Sequence, residues 1–159
     1  MSANLFQDFL SKHGAKFGEL SGIKVVQNYG NLVSEHRYLT HTVALVDLTS
    51  RGAMAALGDD RVKYINGQVT NEVMRLRPGQ GCYAALVNVK ARMQSDLNIY
   101  RLEDELILDF EPGQFEVVKT RLEKNIVSDQ VELVDVSPHF GLLSLQGPGT
   151  CGLIESLGF

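Results

Sequence analysis

The chain has 159 residues, 44% of them hydrophobic, which is enough for a packed core of ordinary domain size and sets disordered tails and small stapled scaffolds aside. Its 15 basic and 19 acidic residues give a net charge of -4 with the basic ones scattered, which excludes a groove for nucleic-acid phosphates as its main surface. Cys82 and Cys151 stand far apart without metal-ligand spacing, so they read as buried reduced thiols in a reducing compartment. No apolar run reaches the roughly 18 to 20 residues of a membrane span and no signal-peptide pattern opens the chain, so the expectation is a cytoplasmic protein with neither membrane nor nucleic acid as partner.

Residues 2–13 read as an amphipathic helix: Ser2 or Asn4 can cap it, Leu5, Phe6, Phe9 and Leu10 recur at helical spacing, and Gly14 can end it. A second helix follows Gly30. Val43 to Leu48 and Ala53 to Leu57 are short apolar runs split by Thr49-Ser50-Arg51-Gly52, which reads as a pair of joined strands. Gly58-Asp59-Asp60 opens a helix that Asp59 can cap, that Val62 and Ile65 can turn to the core, and that Gly67 can close.

Pro78-Gly79-Gln80-Gly81 is a turn, and Cys82 to Asn88 a mostly apolar strand. Lys90 and Ala91 turn the chain again. Residues 93–101 and 105–110 form a hairpin, since both are strand-like and Leu102, Glu103 and Asp104 alone separate them. Glu111-Pro112-Gly113 breaks it. A helix from about Gln114 to Lys124 carries Phe115, Val118 and Leu122 on one face; strands follow near Val131 to Val136 and Gly141 to Gln146. Gly147-Pro148 starts a last helix and Gly158 ends it. The fold class is α+β, a mostly antiparallel sheet with helices packed on one side. No internal repeat or low-complexity linker divides the chain, so one domain is expected.

Alternation along 93–101 puts Met93, Ser95, Leu97 and Ile99 on one face and Gln94, Asp96, Asn98 and Tyr100 on the other. A polar sheet face is ordinarily a solvated one; the alternative is a ligand channel. A hairpin closing over Glu103 and Asp104 sets Tyr100 across from Ile107, Asn98 from Asp109 and Asp96 from Glu111. A second carboxylate facing Asp96 would repel it and favour a shared proton. Tyr83, on a strand beside alanines, reads as core packing. Arg61 reads as a surface or structural ion pair. His13, His36, His41 and His139 have no ligand spacing with acids or cysteines, and the nucleotide, phosphoryl and serine-hydrolase motifs are missing.

Val46-Asp47-Leu48-Thr49-Ser50-Arg51-Gly52, Gly58-Asp59-Asp60-Arg61-Val62-Lys63-Tyr64-Ile65-Asn66-Gly67-Gln68-Val69-Thr70-Asn71, Pro78-Gly79-Gln80-Gly81-Cys82-Tyr83 and Arg92-Met93-Gln94-Ser95-Asp96-Leu97-Asn98-Ile99-Tyr100 follow one another in a consistent order. This series resembles the folate-binding fold of glycine-cleavage T-proteins, of the C-terminal halves of dimethylglycine and sarcosine dehydrogenases, and of the YgfZ-type proteins linked to iron-sulfur enzyme maintenance. The resemblance implies a ring of several lobes with tetrahydrofolate in a central channel. In T-proteins an aminomethyl group on a lipoyl arm passes its carbon to the folate and ammonia leaves. Partners implied are folate and a small one-carbon donor or lipoyl-carrier protein, with the oligomeric state open.

By the same resemblance Asp96 lies near the reacting folate nitrogens, where it orients the ligand and stabilises positive charge on the transferred carbon. Tyr83 matches a ring that packs on the folate, and Asn98 and Tyr100 follow as channel-side residues of the Asp96 strand. T-proteins usually carry asparagine near the position of Glu111. Ser50-Arg51-Gly52 and Met93-Gln94-Ser95-Asp96 lean to the YgfZ-type branch. Residues 1–159 correspond to the N-terminal portion of the family's folate-binding domain, and the expectation is that the chain stops before the site is complete. Three functions follow: a tetrahydrofolate-dependent aminomethyltransferase, a folate-binding accessory protein for iron-sulfur enzymes without turnover, and an interaction module with a solvated polar face.

Overall fold

The computed structural model describes residues 3–158. Helix α1 (Ala3–Lys12) ends at Gly14, whose φ of 87° is left-handed and suits glycine. Its proposed caps, Ser2 and the Asn4 side chain, lie outside the described residues. Strands β1 (Lys16–Leu20) and β2 (Ile23–Asn28) then form an antiparallel hairpin that is absent from the elements expected from sequence. Ser21 and Gly22 both take positive φ, 51° and 79°, the backbone twist that a two-residue hairpin turn requires. Helix α2 (Leu32–His41) is capped by Asn31, which accepts the Ser34 amide at 3.0 Å.

Strand β3 (Ala44–Asp47) pairs with β9 (Leu143–Gln146), while β4 (Gly52–Leu57) pairs with β7 (Leu106–Phe110) and β8 (Glu132–Asp135). The expected pairing of β3 with β4 is therefore corrected. The turn between them is a crossing point: residues up to Ser50 and from Gly141 onward form one compact unit, and Arg51–Phe140 form the other. Helix α5 (Thr150–Ser156) belongs to the first unit and begins just past Pro148.

The second unit is built on a five-stranded sheet in the order β5-β6-β7-β4-β8, with β5 (Gly81–Val87) and β6 (Met93–Arg101) at one edge. Every ladder among the described residues is antiparallel. The expected hairpin register holds: Asn98 faces Asp109 and Tyr100 faces Ile107. One sheet face carries Met54, Ala84, Leu86, Leu97, Ile99, Leu108 and Phe110. Against it pack Tyr64 and Ile65 of α3 (Arg61–Asn66) and Val118 and Leu122 of α4 (Phe115–Glu123), so the helices cover the same side. Met93, expected on this face, is exposed, beyond a register shift between Leu86 and Val87.

The α3 start is shifted by one residue from expectation. Asp60, not Asp59, holds the capping position, and its Oδ2 accepts the Gln130 amide at 2.9 Å instead of capping the helix. Arg61 donates to the Gly58 and Glu103 carbonyls, both at 2.9 Å, a structural role in which no ion pair is made among the described residues. Cys82 is half-buried, and burial pushes its thiol up; Cys151 is exposed, contrary to the expectation that both thiols are buried. No helix among the described residues is long and apolar enough to cross a membrane.

Candidate functional site

The sheet face opposite the helices gathers the polar side chains. Because side chains alternate, Arg51, Ala53 and Ala55 on or beside β4, Ile107 and Asp109 on β7, Asp96, Asn98 and Tyr100 on β6, and Tyr83 on β5 share this face. Register then decides the partners. Tyr83 is paired with Asn98 and Ala85 with Asp96, so Tyr83 reaches diagonally and donates its hydroxyl to Asp96 Oδ2 at 2.9 Å. Asn98, directly across from Asp109, donates its Nδ2 to Asp109 Oδ2 at 2.8 Å.

Arg51 joins the cluster from the start of β4. Its Nε donates to Asp109 Oδ1 at 2.7 Å, and its Nη1 bonds Glu111. The carboxyl of Asp109 is only 5% exposed as a residue, a position that a lone charge could hold only at high cost. Burial works against the Arg51 charge, but the bond to Asp109 and its charge, with those of Glu111, outweigh it and hold the guanidinium above its ordinary value. Asp109 and Glu111 share one guanidinium and Asp96 adds a third carboxylate, so the face is negative and favours a cationic or N–H-bearing ligand.

The four residues singled out in the sequence, Tyr83, Asp96, Asn98 and Tyr100, therefore fall on one face. Tyr83 is 61% exposed, so the reading of it as core packing is corrected: alternation along β5 sends Ala84 and Leu86 to the helix-covered side and Tyr83 to the other. The bond to Asp96, then loss of hydration, then the Asp96 charge raise its phenol above the ordinary value. Tyr100 is partly exposed; burial first and the Asp109 charge second raise its phenol too.

Glu111 is not paired with Asp96 in the ladder, which ends at Asn98 and Asp109. It lies past the end of β7 and is bonded to Arg51, which gives its carboxylate a counter-charge in place of a proton shared with Asp96. Arg51 and Asp109 were not among the sequence candidates. A signal existed for Asp109, an acid inside the apolar run Leu106-Ile107-Leu108-Asp109-Phe110, since such a group needs a partner. A shallow concavity at the β6–β7 turn, lined by Pro78, Gly79, Leu102, Glu103, Asp104 and Glu105, contains none of these residues. Among the described residues no three His, Cys, Asp or Glu side chains stand close enough to hold a metal ion.

Residues 6–158 match the family described as GCVT N-terminal domain. An aminomethyltransferase of Geobacillus thermodenitrificans is 29% identical over 148 residues, 92% of this chain and 40% of that protein. One from Thermus thermophilus is 26% identical over 145 residues, 91% of this chain and 42% of that protein. The crystal structure of glycine cleavage system aminomethyltransferase T from Bartonella henselae aligns with a TM-score of 0.86 at 25% identity, covering 100% of this chain and 44% of that one. The chain thus spans less than half the length of each of these relatives.

Proposed function

The chain belongs to the GCVT N-terminal domain family, and from that premise we propose that its polar sheet face is the folate-facing part of an aminomethyltransferase-like, one-carbon-transfer protein. The observation that carries this reading is the Tyr83–Asp96 pair, one exposed ring and one partly exposed carboxylate joined at 2.9 Å. Tetrahydrofolate suits the donor set: a flat reduced heterocycle rich in N–H groups meets a carboxylate, an amide and two aromatic rings. When bound, it supplies the nitrogens that take up the transferred carbon.

Asp96 is the catalytic residue of this reading. Its carboxylate accepts N–H groups of the ligand and lies where positive charge develops on the carbon, and fixed charge in a site acts without reorganising at the moment of reaction. Tyr83 holds one Asp96 oxygen in place and offers its ring; Tyr100 offers a second ring, and Asn98 an amide. The donor is a small aminomethyl compound or a lipoyl-carrier protein. A second reading, a folate-binding accessory protein for iron-sulfur enzymes without turnover, draws on Arg51 of Ser50-Arg51-Gly52, whose charge is committed to Asp109 and Glu111.

The test is calorimetric titration of tetrahydrofolate into the full-length protein, with Asp96→Ala beside it. Binding that the variant weakens at least tenfold, about 1.4 kcal/mol, supports the reading. Release of ammonia from an aminomethyl donor then separates the transferase from the accessory protein. An absence of binding returns the face to solvent and leaves an interaction module.

A further inference from the structure

Both oxygens of Asp109 are occupied, Oδ1 by Arg51 Nε at 2.7 Å and Oδ2 by Asn98 Nδ2 at 2.8 Å. An ionised carboxylate only accepts hydrogen bonds, so the Asn98 amide has one workable orientation, nitrogen toward Asp109 and oxygen away from it. Arg51 supplies the compensating charge that lets a carboxylate stand so deeply buried. Two residues earlier on the same strand and face, Asp96 has its Oδ2 held by Tyr83. Among the described residues no hydrogen bond reaches Asn98 Oδ1 or Asp96 Oδ1. Residues two apart on a strand are separated by about 7 Å.

We infer that Asp109, held by Arg51, is a positioning residue: it locks the Asn98 amide so that the Asn98 and Asp96 oxygens together form a two-acceptor element for a ligand with a pair of N–H donors. The inference rests on the folate-facing reading of this face, tetrahydrofolate being a ligand of that class. It goes further in assigning a binding role to a buried aspartate and a half-buried arginine that need not touch the ligand. The chemistry is specific. A side chain at 109 that could also donate would let the amide turn over and present its nitrogen outward, which replaces an acceptor by a donor on the recognition surface.

The experiment uses the full-length protein in two arms. In the first, the Asn98 side-chain NH₂ of the unliganded wild type is followed by nuclear magnetic resonance. The lock requires hydrogen exchange slower than that of exposed asparagines, and loss of that protection in Asp109→Asn. In the second, tetrahydrofolate is titrated into wild type, Asp109→Asn, Asn98→Leu and the double variant. Each single change is expected to weaken binding by at least about fivefold, with the double variant no weaker than Asn98→Leu alone, because Asp109 acts through Asn98. An unprotected Asn98 amide in the wild type overturns the inference, as do additive losses in the double variant or an Asp109→Asn protein that binds within about twofold of wild type. A wild type that does not bind tetrahydrofolate removes the folate reading instead, and the first arm, which needs no ligand, then decides the lock.

Discussion

Arg51 and Asp109 meet at 2.7 Å although 58 positions separate them in the chain, and their side chains keep only 13% and 8% of their exposure. A pair so withdrawn from water is asymmetric in its energetics. Keeping both members costs desolvation that their attraction offsets, whereas removing one leaves the other buried without its counter-charge. Arg51→Met is therefore expected to lose about 3 to 5 kcal/mol of stability, and Arg51→Met with Asp109→Leu to regain most of it. Urea denaturation of both proteins at neutral pH checks this. A double variant as weak as the single one would show that the unpaired charge is not the cause.

The Tyr83–Asp96 bond predicts a titration. The bond, then loss of hydration, then the neighbouring charge raise the Tyr83 phenol above the ordinary 10.0. A folded group with a raised value holds its proton longer than the unfolded chain does. Its contribution to stability is whole below 10.0 and fades as pH rises through the raised value. Asp96→Ala should move the Tyr83 step down toward 10.0, seen as earlier phenolate absorbance. Tyr83→Phe, which deletes the step, identifies it among the five tyrosines. A phenolate curve unchanged by Asp96→Ala would mean that the bond does not persist in solution.

These two relationships differ in how far they can be read from the sequence. Asn98 opposite Asp109 was legible because Leu102, Glu103 and Asp104 leave a hairpin little choice of register, and a slip of one residue would put Leu97 and Ile99 on the polar face. Arg51 was not legible as part of the site. Its place depends on β4 pairing with β7 rather than with the adjacent β3, a non-local choice that local alternation does not encode. The hairpin of β1 and β2 was missed for another reason: its Ser21-Gly22 turn is a real signal, but the strands beside it are half-exposed and lack an apolar run. The α3 cap slipped by one because Asp59 and Asp60 are adjacent, and Asp60 is diverted to the Gln130 amide.

Gly52 explains why a glycine follows Arg51. A Cβ there would lie 2.2 Å from Cε2 and 2.8 Å from Cδ2 of Phe110, and that ring is fully buried with no room to withdraw. Gly52→Ala is expected to lose about 1 to 3 kcal/mol by overpacking. Gly52→Ala with Phe110→Leu should be less unstable than the two separate losses summed, because the smaller side chain relieves the clash. The measurement is the denaturation midpoint of each protein at constant slope. Strict additivity would place the damage in the backbone rather than in the ring.

Glu111 gives the opposite expectation to Arg51, although both belong to one ion cluster. Its side chain is 50% exposed, and its partner Arg51 keeps Asp109 when Glu111 is gone. An exposed arm of this kind contributes little, since water screens it and the long side chain gives up freedom to make the contact. Glu111→Asn should change stability by less than about 1 kcal/mol, an effect that shrinks further with added salt. It should also leave the pH dependence of tetrahydrofolate binding as it is in the wild type, because Glu111 lies past β7 and is tied to Arg51. Stability curves at low and high salt and a titration series across pH test both halves. A loss as large as that of Arg51→Met would mean that Glu111 supports Asp109 through Arg51, and a shifted pH profile would bring back a proton shared with Asp96.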